Sequence, residues 1–172
     1  MPPCKPDPAF WRGKRVLVTG HTGFKGGWAA LWLHDQGAEV FGLALPPEPL
    51  SLFRLLHLDA PVRSHFADLR DAAAVAKAVH AVQPQIVLHL AAQALLPRSL
   101  TEPMETFAVN VSGTVHLLEA LRTVEDVIAV LVVTSDKVYA DTGSPHAHDE
   151  ADPLGGGADP YSASKAACEL AT

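Results

Sequence analysis

Apolar and polar positions follow two periods along this chain, and the two periods themselves alternate. "RVLVT" (15–19) is apolar on both faces and predicts a buried strand. "GFKGGWAALWLHDQG" (23–37) follows with a helical period that sets Trp28, Leu31 and Trp32 at i, i+3 and i+4 and stops at Gly37. "EVFGLAL" (39–45) predicts a second strand, "PPEPLS" a connector, and "LFRLL" a short amphipathic piece. "VRSHFA" (62–67) predicts a weak third strand, and "DAAAVAKAVHAV" (71–82) a helix with Val75, Val79 and Val82 on one face, ended by Pro84. "IVLHLAA" (86–92) predicts a fourth strand, 104–124 a long helix, and 127–134 a fifth strand. After a loop rich in Gly, Pro and Asp, "YSASKAACELAT" reads as helix to the last residue.

Strands apolar on both faces, alternating with helices, imply a parallel sheet covered on both sides. Right-handed crossovers make it an α/β fold, a Rossmann-type doubly wound parallel sheet ordered 3-2-1-4-5. A chain of 172 residues is enough for one sizeable core, so 1–172 reads as a single domain with no internal repeat.

Composition narrows the functional classes. The chain is 48% hydrophobic and 19% charged, as in globular proteins, and its net charge of −6 comes without any Lys/Arg block. That argues against nucleic acid or an anionic membrane surface as a partner. The longest apolar run, "VIAVLVV" (127–133), is far too short to span a bilayer, and "MPPCKPDPAFW" lacks the apolar stretch of a secretory signal. Cys4 and Cys168 form no metal or redox motif, so both read as reduced thiols of a cytoplasmic protein.

The first strand-to-helix turn carries the clearest chemistry. Gly20, Gly23 and Gly26 stand three apart behind Thr19. A helix N-terminus there offers unpaired N–H groups and a positive dipole end, and a pyrophosphate uses both only where no Cβ holds it away. Lys25 in the first helical turn opposes the dipole unless an anion sits nearby. The spacing is Gly-x-x-Gly-x-x-Gly, not the more widespread Gly-x-Gly-x-x-Gly. Asp68, in "ADLRD" after the third strand, is placed to accept from an adenine amino group, and the small residues of "LAAQ" (90–93) let a flat cofactor pass. Tyr161 and Lys165, four apart at the start of a helix, share one face. A neighbouring ammonium favours the phenolate and makes tyrosine a usable acid/base.

Taken together, "TGHTGFKG", "LAAQ", "TSDKVY" and "YSASK" resemble the extended short-chain dehydrogenase/reductases, the NAD-dependent epimerase/dehydratase family. More closely, "FWRGKRVLVTGHTGFKGGWAALWL", "TSDKVY" and "DPLGGGADPYSASKAACEL" resemble its CDP-glucose 4,6-dehydratase branch, with Val138 where members generally read Cys. The resemblance implies an NAD(P)-binding Rossmann domain whose cofactor contacts come from Gly20, Thr22, Gly23, Phe24, Lys25, Gly26, Asp68, Leu69, Leu90, Ala91, Ala92, Gln93, Tyr161 and Lys165. It implies catalysis by Ser135, Asp136, Lys137, Tyr161 and Lys165 on a nucleotide-sugar, in a homodimer. Ser135 would meet the sugar's C4 oxygen and Asp136 would protonate the leaving C6 hydroxyl. Lys137 stands where related dehydratases carry a Glu base. Family chains continue past the Tyr-x-x-x-Lys helix into a substrate-binding part, so these residues read as the cofactor half, truncated after that helix.

Several points stay open at this level. Asp136 must remain protonated and Lys137 neutral, which adjacency opposes, and consecutive strand residues face opposite ways, so both reach one sugar only if the strand ends near Asp136. A surface Asp-Lys pair is the alternative. NAD-selective sites usually carry an acid near the end of strand two; here the first is Glu48, and no Arg precedes Arg54, so the family favours NAD without excluding NADP. His21 is either a phosphate donor or an exposed ring, and Trp28 and Trp32 read as helix packing. Asn110 is in the position that in this superfamily holds backbone or water near the active site. "HAHDE" (146–150) lacks a third ligand at metal spacing and reads as a solvated loop. The competing readings are an epimerase or reductase on the same scaffold, or a non-catalytic dinucleotide-binding module.

Overall fold

A computed structural model describes residues 7–140, 143, 147–155 and 157–172. Five strands, β1 (Arg15–Thr19), β2 (Glu39–Ala44), β3 (Arg63–Phe66), β4 (Ile86–His89) and β5 (Ala129–Val132), form one parallel sheet in the order β3-β2-β1-β4-β5. Around them lie α1 (Pro8–Trp11), α2 (Phe24–Asp35), α3 (Leu52–Leu55), α4 (Ala72–Val82), α5 (Leu96–Thr101), α6 (Pro103–Phe107), α7 (Gly113–Leu121) and α8 (Pro160–Ala171). The period of two in β1 divides the core. Leu17 joins Leu43, Val87, Val75, Val79 and Leu117 under α4 and α7, whereas Val16 and Val18 join Val40, Ala30, Leu33, Phe53 and Leu58 under α2 and α3. Every residue of β1 from Val16 to Thr19 is buried, as a central strand covered on both faces requires.

Four sequence expectations change. First, α2 buries Gly26, Gly27, Ala30 and Leu33, not the face of Trp28 and Trp32, which are 49% and 40% exposed. Only small side chains let this helix lie close on the strand ends, and the tryptophans are displaced to its outer side, where Trp32 meets the edge of Trp11 at 5.6 Å. Second, the helix expected over 104–124 is α6 and α7 joined by a π-helical turn, Ala108–Ser112. Third, α5 lies between the expected fourth strand and the expected long helix, where no element is predicted; Pro97 and Pro103 each occupy the first turn of a helix, where the missing N–H costs nothing. Fourth, β4 and β5 are shorter than expected. Beyond His89 the backbone N–H groups of Leu90 and Ala91 both donate to the Thr19 hydroxyl, each at 3.1 Å, and the chain turns away from the sheet.

Caps account for the helix starts. Asp71 accepts from Ala74 N at 3.0 Å and Asp159 from Ser162 N at 2.9 Å. α4 ends on Gln83 in the left-handed region, φ +48°, one residue before Pro84.

Candidate dinucleotide and catalytic cleft

The cleft opens at the carboxyl ends of β1, β2 and β4, where a doubly wound sheet reverses its strand order. Gly20 leaves β1 with φ +73°, and a Cβ there would stand 2.8 Å from Ala91 Cα. Gly26 packs the first turn of α2 onto that backbone: its Cβ would lie 2.1 Å from the Gly20 carbonyl oxygen. The turn is thus closed by glycine alone, with the N-terminus of a 12-residue helix facing the cleft.

The resulting cavity of about 530 Å³ is lined by Gly20, Thr22, Gly23, Phe24, Lys25, Gly26, Asp68, Leu69, Leu90, Ala91, Ala92, Tyr161 and Lys165. Of the residues expected at the cofactor, Gln93 is the exception. Its side chain turns inward, donating to Leu95 O at 3.1 Å and Thr106 Oγ1 at 3.0 Å and accepting from Leu95 N at 2.7 Å. Gln93 therefore shapes the loop after β4 while its neighbours line the cleft. Val133, Thr134, Val109, Arg70 and Glu105 also line the cavity and carried no sequence signal strong enough to select them. Arg70 was the most legible of these, two residues beyond Asp68 in "ADLRD".

Asp68 is held by that arginine. Arg70 Nε donates to both carboxylate oxygens at 3.0 and 2.9 Å, Nη2 to Oδ2 at 2.5 Å, and the Arg70 backbone N–H to Oδ1 at 2.9 Å. These bonds keep the Asp68 carboxyl below the usual aspartate range. Arg70 also pairs with Glu105 at 3.5 Å, and Glu105 with Arg98 at 2.7 Å, so charge links the loop after β3 to α5 and α6. Glu48 is exposed beyond β2 and the cleft there is lined by Ala44 and Leu45.

On the opposite wall, α8 carries Tyr161 and Lys165. Lys165 is buried, and its ammonium donates to Val133 O at 2.9 Å beyond the end of β5. Burial lowers its pKa from the ordinary lysine value, opposed by Cys168 and Glu169 and reinforced by Lys25. Thr134 donates to Glu169 of the same helix.

Asn110 sits in the π turn and is fully enclosed. Its Oδ1 accepts from Gln93 N at 2.7 Å, and its Nδ2 donates to Gln93 O at 3.1 Å and to Ser164 Oγ at 2.9 Å. The extra residue of a π turn rotates this side chain out of the helical stack and towards both segments.

Ser135, Asp136 and Lys137 are not brought to the walls of this cavity. The strand ends at Val132, and Asp136–Val138 form a 3₁₀ turn capped by Ser135, whose Oγ accepts from Lys137 N at 3.2 Å and donates to Asp136 Oδ1 at 3.0 Å. The strand therefore stops soon enough to free the pair from strand alternation, but both side chains are exposed, so the burial their expected roles demand is not supplied by the described residues.

His21 is neither a phosphate donor nor an exposed ring. It is completely buried over Gly42 of β2, with Nε2 2.9 Å from Ser64 Oγ and the ring edge-on to Phe53. Burial, with His65 nearby, lowers its pKa to about 4. In the "HAHDE" loop, His146 lies outside the described residues, as does Cys4, and His148 Nδ1 is 2.8 Å from Asp152 Oδ2. Cys168 is buried with a free thiol. No helix among the described residues is long and apolar enough to cross a membrane.

A glycine floor that a Cβ would fill, a helix N-terminus and a passage of small residues, with Tyr161 and Lys165 on the far wall, fit a dinucleotide. Comparison with known proteins agrees with this geometry. Residues 17–172 match the family described as GDP-mannose 4,6 dehydratase. The chain is 47% identical over 165 residues to CDP-glucose 4,6-dehydratase of Salmonella typhimurium, covering 95% of this chain and 46% of that protein. Among solved structures it is 33% identical to the Thermus thermophilus UDP-glucose 4-epimerase in complex with NAD, TM-score 0.74, covering 90% of this chain and 48% of the other. It is 26% identical to the Bifidobacterium longum UDP-glucose 4-epimerase in complex with NAD+ and UDP, TM-score 0.77, covering 90% and 47%. The chain thus spans about half the length of the relatives it matches.

Proposed function

The chain belongs to the GDP-mannose 4,6-dehydratase family, and on that premise we propose that it carries the NAD-binding half and the catalytic residues of a nucleotide-sugar 4,6-dehydratase acting on CDP-glucose. The observation that carries the reading is the pairing of two features across one cleft: the glycine turn of 20–26 and the Tyr161–Lys165 face of α8. The choice of CDP-glucose is supported by the 47% identity to the Salmonella CDP-glucose 4,6-dehydratase.

When bound, NAD would supply the redox chemistry, as acceptor of hydride from C4 of the hexose and its donor to C6. Gly20, Gly23 and Gly26 would admit its pyrophosphate to the α2 N-terminus, Lys25 would add positive charge there, and Asp68 would hold the adenine. Tyr161 removes the C4 hydroxyl proton, with Lys165 beside it on the same face of α8. Ser135 holds the C4 oxygen. Once C4 is a ketone the C5 proton is acidic; Lys137 takes it, Asp136 protonates the departing C6 hydroxyl so that water leaves, and after hydride returns to C6 the Lys137 ammonium, exchanged with solvent, gives a proton back to C5. Asp136 and Lys137 are exposed here, and in this reading the sugar and the remaining protein cover them. The complete enzyme is cytoplasmic and homodimeric in this reading, whereas these 172 residues alone bind NAD weakly and turn nothing over.

A second reading is a nucleotide-sugar epimerase. It is favoured by the two epimerase structures and by the position of Asp136 and Lys137 outside the cavity, because epimerisation needs Tyr161 and Lys165 but no acid–base pair at 136 and 137. The gene product that carries these residues, given CDP-glucose and NAD, is expected to release a 4-keto-6-deoxy sugar nucleotide with no net reduction of NAD. A product that retains its C6 hydroxyl overturns the dehydratase reading in favour of the epimerase.

A further inference from the structure

His89, the last residue of β4, is 3% exposed and belongs to no part of the chemistry above. Each ring nitrogen has one partner: Nδ1 lies 2.7 Å from Thr19 Oγ1 and Nε2 lies 2.9 Å from Thr114 Oγ1. The neighbours decide the direction of both bonds. Thr19 Oγ1 already accepts from the N–H groups of Leu90 and Ala91, leaving its own proton for Nδ1. Thr114 Oγ1 donates to Asn110 O at 2.5 Å, leaving a lone pair for an Nε2 proton. Burial, with Lys165 nearby, lowers the imidazole pKa to about 4, so the ring is neutral at pH 7 and carries its single proton on Nε2.

The chain of bonds continues at both ends. At one end Thr19 fixes the backbone of Leu90 and Ala91, which line the cleft. At the other, the Asn110 carbonyl also accepts from Cys168 Sγ at 3.1 Å, and the Asn110 amide reaches Ser164, whose hydroxyl donates to Tyr161 O at 2.7 Å. We propose that His89 is a positioning residue: locked as the Nε2–H tautomer between Thr19 and Thr114, it couples the floor of the cleft to the helix bearing Tyr161 and Lys165. It thereby sets the distance between the catalytic pair and whatever lies along 90–92. The inference rests on the dehydratase reading only for its kinetic consequence; the tautomer and the coupling stand on geometry.

Three measurements test it. With ¹⁵N-labelled histidine, the His89 ring at neutral pH is expected to show an unprotonated Nδ1 and a protonated Nε2; the opposite tautomer, or an average of the two, overturns the proposal. Thr114→Val, close to isosteric and milder than replacing His89, is expected to speed amide exchange about tenfold at 90–93 and 161–165 while β2 and β3 keep the parent rates. Equal acceleration everywhere, or none, overturns it. In turnover of CDP-glucose by the gene product that carries these residues, Thr114→Val is expected to lower kcat about tenfold, with the KM for NAD within about twofold and a larger isotope effect from C4-deuterated sugar. Thr114→Ser, which keeps the hydroxyl, is expected to restore kcat. Loss confined to KM, or no rescue by Ser, overturns the positioning role. If the parent oxidises no sugar, the dehydratase reading fails instead, and the first two measurements still decide whether His89 couples floor to helix.

Discussion

One methyl group added at Gly26 would meet the Gly20 carbonyl oxygen at 2.1 Å, and the contact is backbone on backbone with no side chain to yield. Gly26→Ala is therefore expected to cost about 1–3 kcal/mol or more in denaturant unfolding and to weaken NAD binding, since relief requires moving α2 away from the turn. Unchanged stability would show that the turn has slack the geometry denies. Tyr161→Phe and Asp136→Asn separate the two stages of the proposed reaction. The first is expected to remove the initial oxidation; the second should leave oxidation in place and slow water loss roughly 10²- to 10⁴-fold, as loss of a general acid does. Full dehydration by Asp136→Asn would remove Asp136 from the acid role. The glycines were readable in the sequence because their spacing is a backbone requirement. The fates of His21 and Gln93 were not: the ring of His21 is held by Ser64, 43 residues away, and Gln93 turns inward onto the loop at Leu95 and onto Thr106, a bend that no sequence period marks.

At the scale of elements, β1, β2 and α4 follow the hydrophobic period to within a residue, since a parallel sheet covered on both faces leaves few alternatives for Val16, Leu17, Val40 or Val79. The period misled where packing needed small residues. α2 turns Gly26, Gly27 and Ala30 inward and leaves its tryptophans outside, a choice hydropathy alone reads backwards. The π turn Ala108–Ser112 was illegible because one extra backbone residue changes no composition, yet it aims Asn110 at both Gln93 and Ser164. Asn110→Ala would strand the buried Gln93 N–H and C=O without partners and leave Ser164 Oγ with its bond to Tyr161 O alone. The expected cost is about 1–3 kcal/mol, with faster amide exchange at 93–95 and in the first turn of α8. Exchange unchanged at both places would mean that Asn110 does not hold the two segments together.

At the scale of the molecule, two imidazoles make stability depend on acid. His21 and His89 both fall from 6.5 to about 4 on folding, so between those values the unfolded chain binds protons that the folded chain refuses. Stability is then full above pH 6.5 and declines as pH falls towards 4, by on the order of 3 kcal/mol for each ring across the window. Denaturation midpoints constant from about pH 6.5 to about pH 5 would contradict it. Among the described residues no strand pairs with the outer side of β5, where Leu131 is 56% exposed; such an apolar edge favours association, so the 172-residue chain is expected to sediment as concentration-dependent oligomers. A single monomeric species at all concentrations would show the edge to be protected. The central claim, internal redox with loss of water, is tested most directly by turning over CDP-glucose in deuterium oxide with the gene product that carries these residues. The account predicts a 4-keto-6-deoxy product labelled at C5 with NAD unchanged at the end; an unlabelled C5, or reduced cofactor accumulating with product, would contradict it.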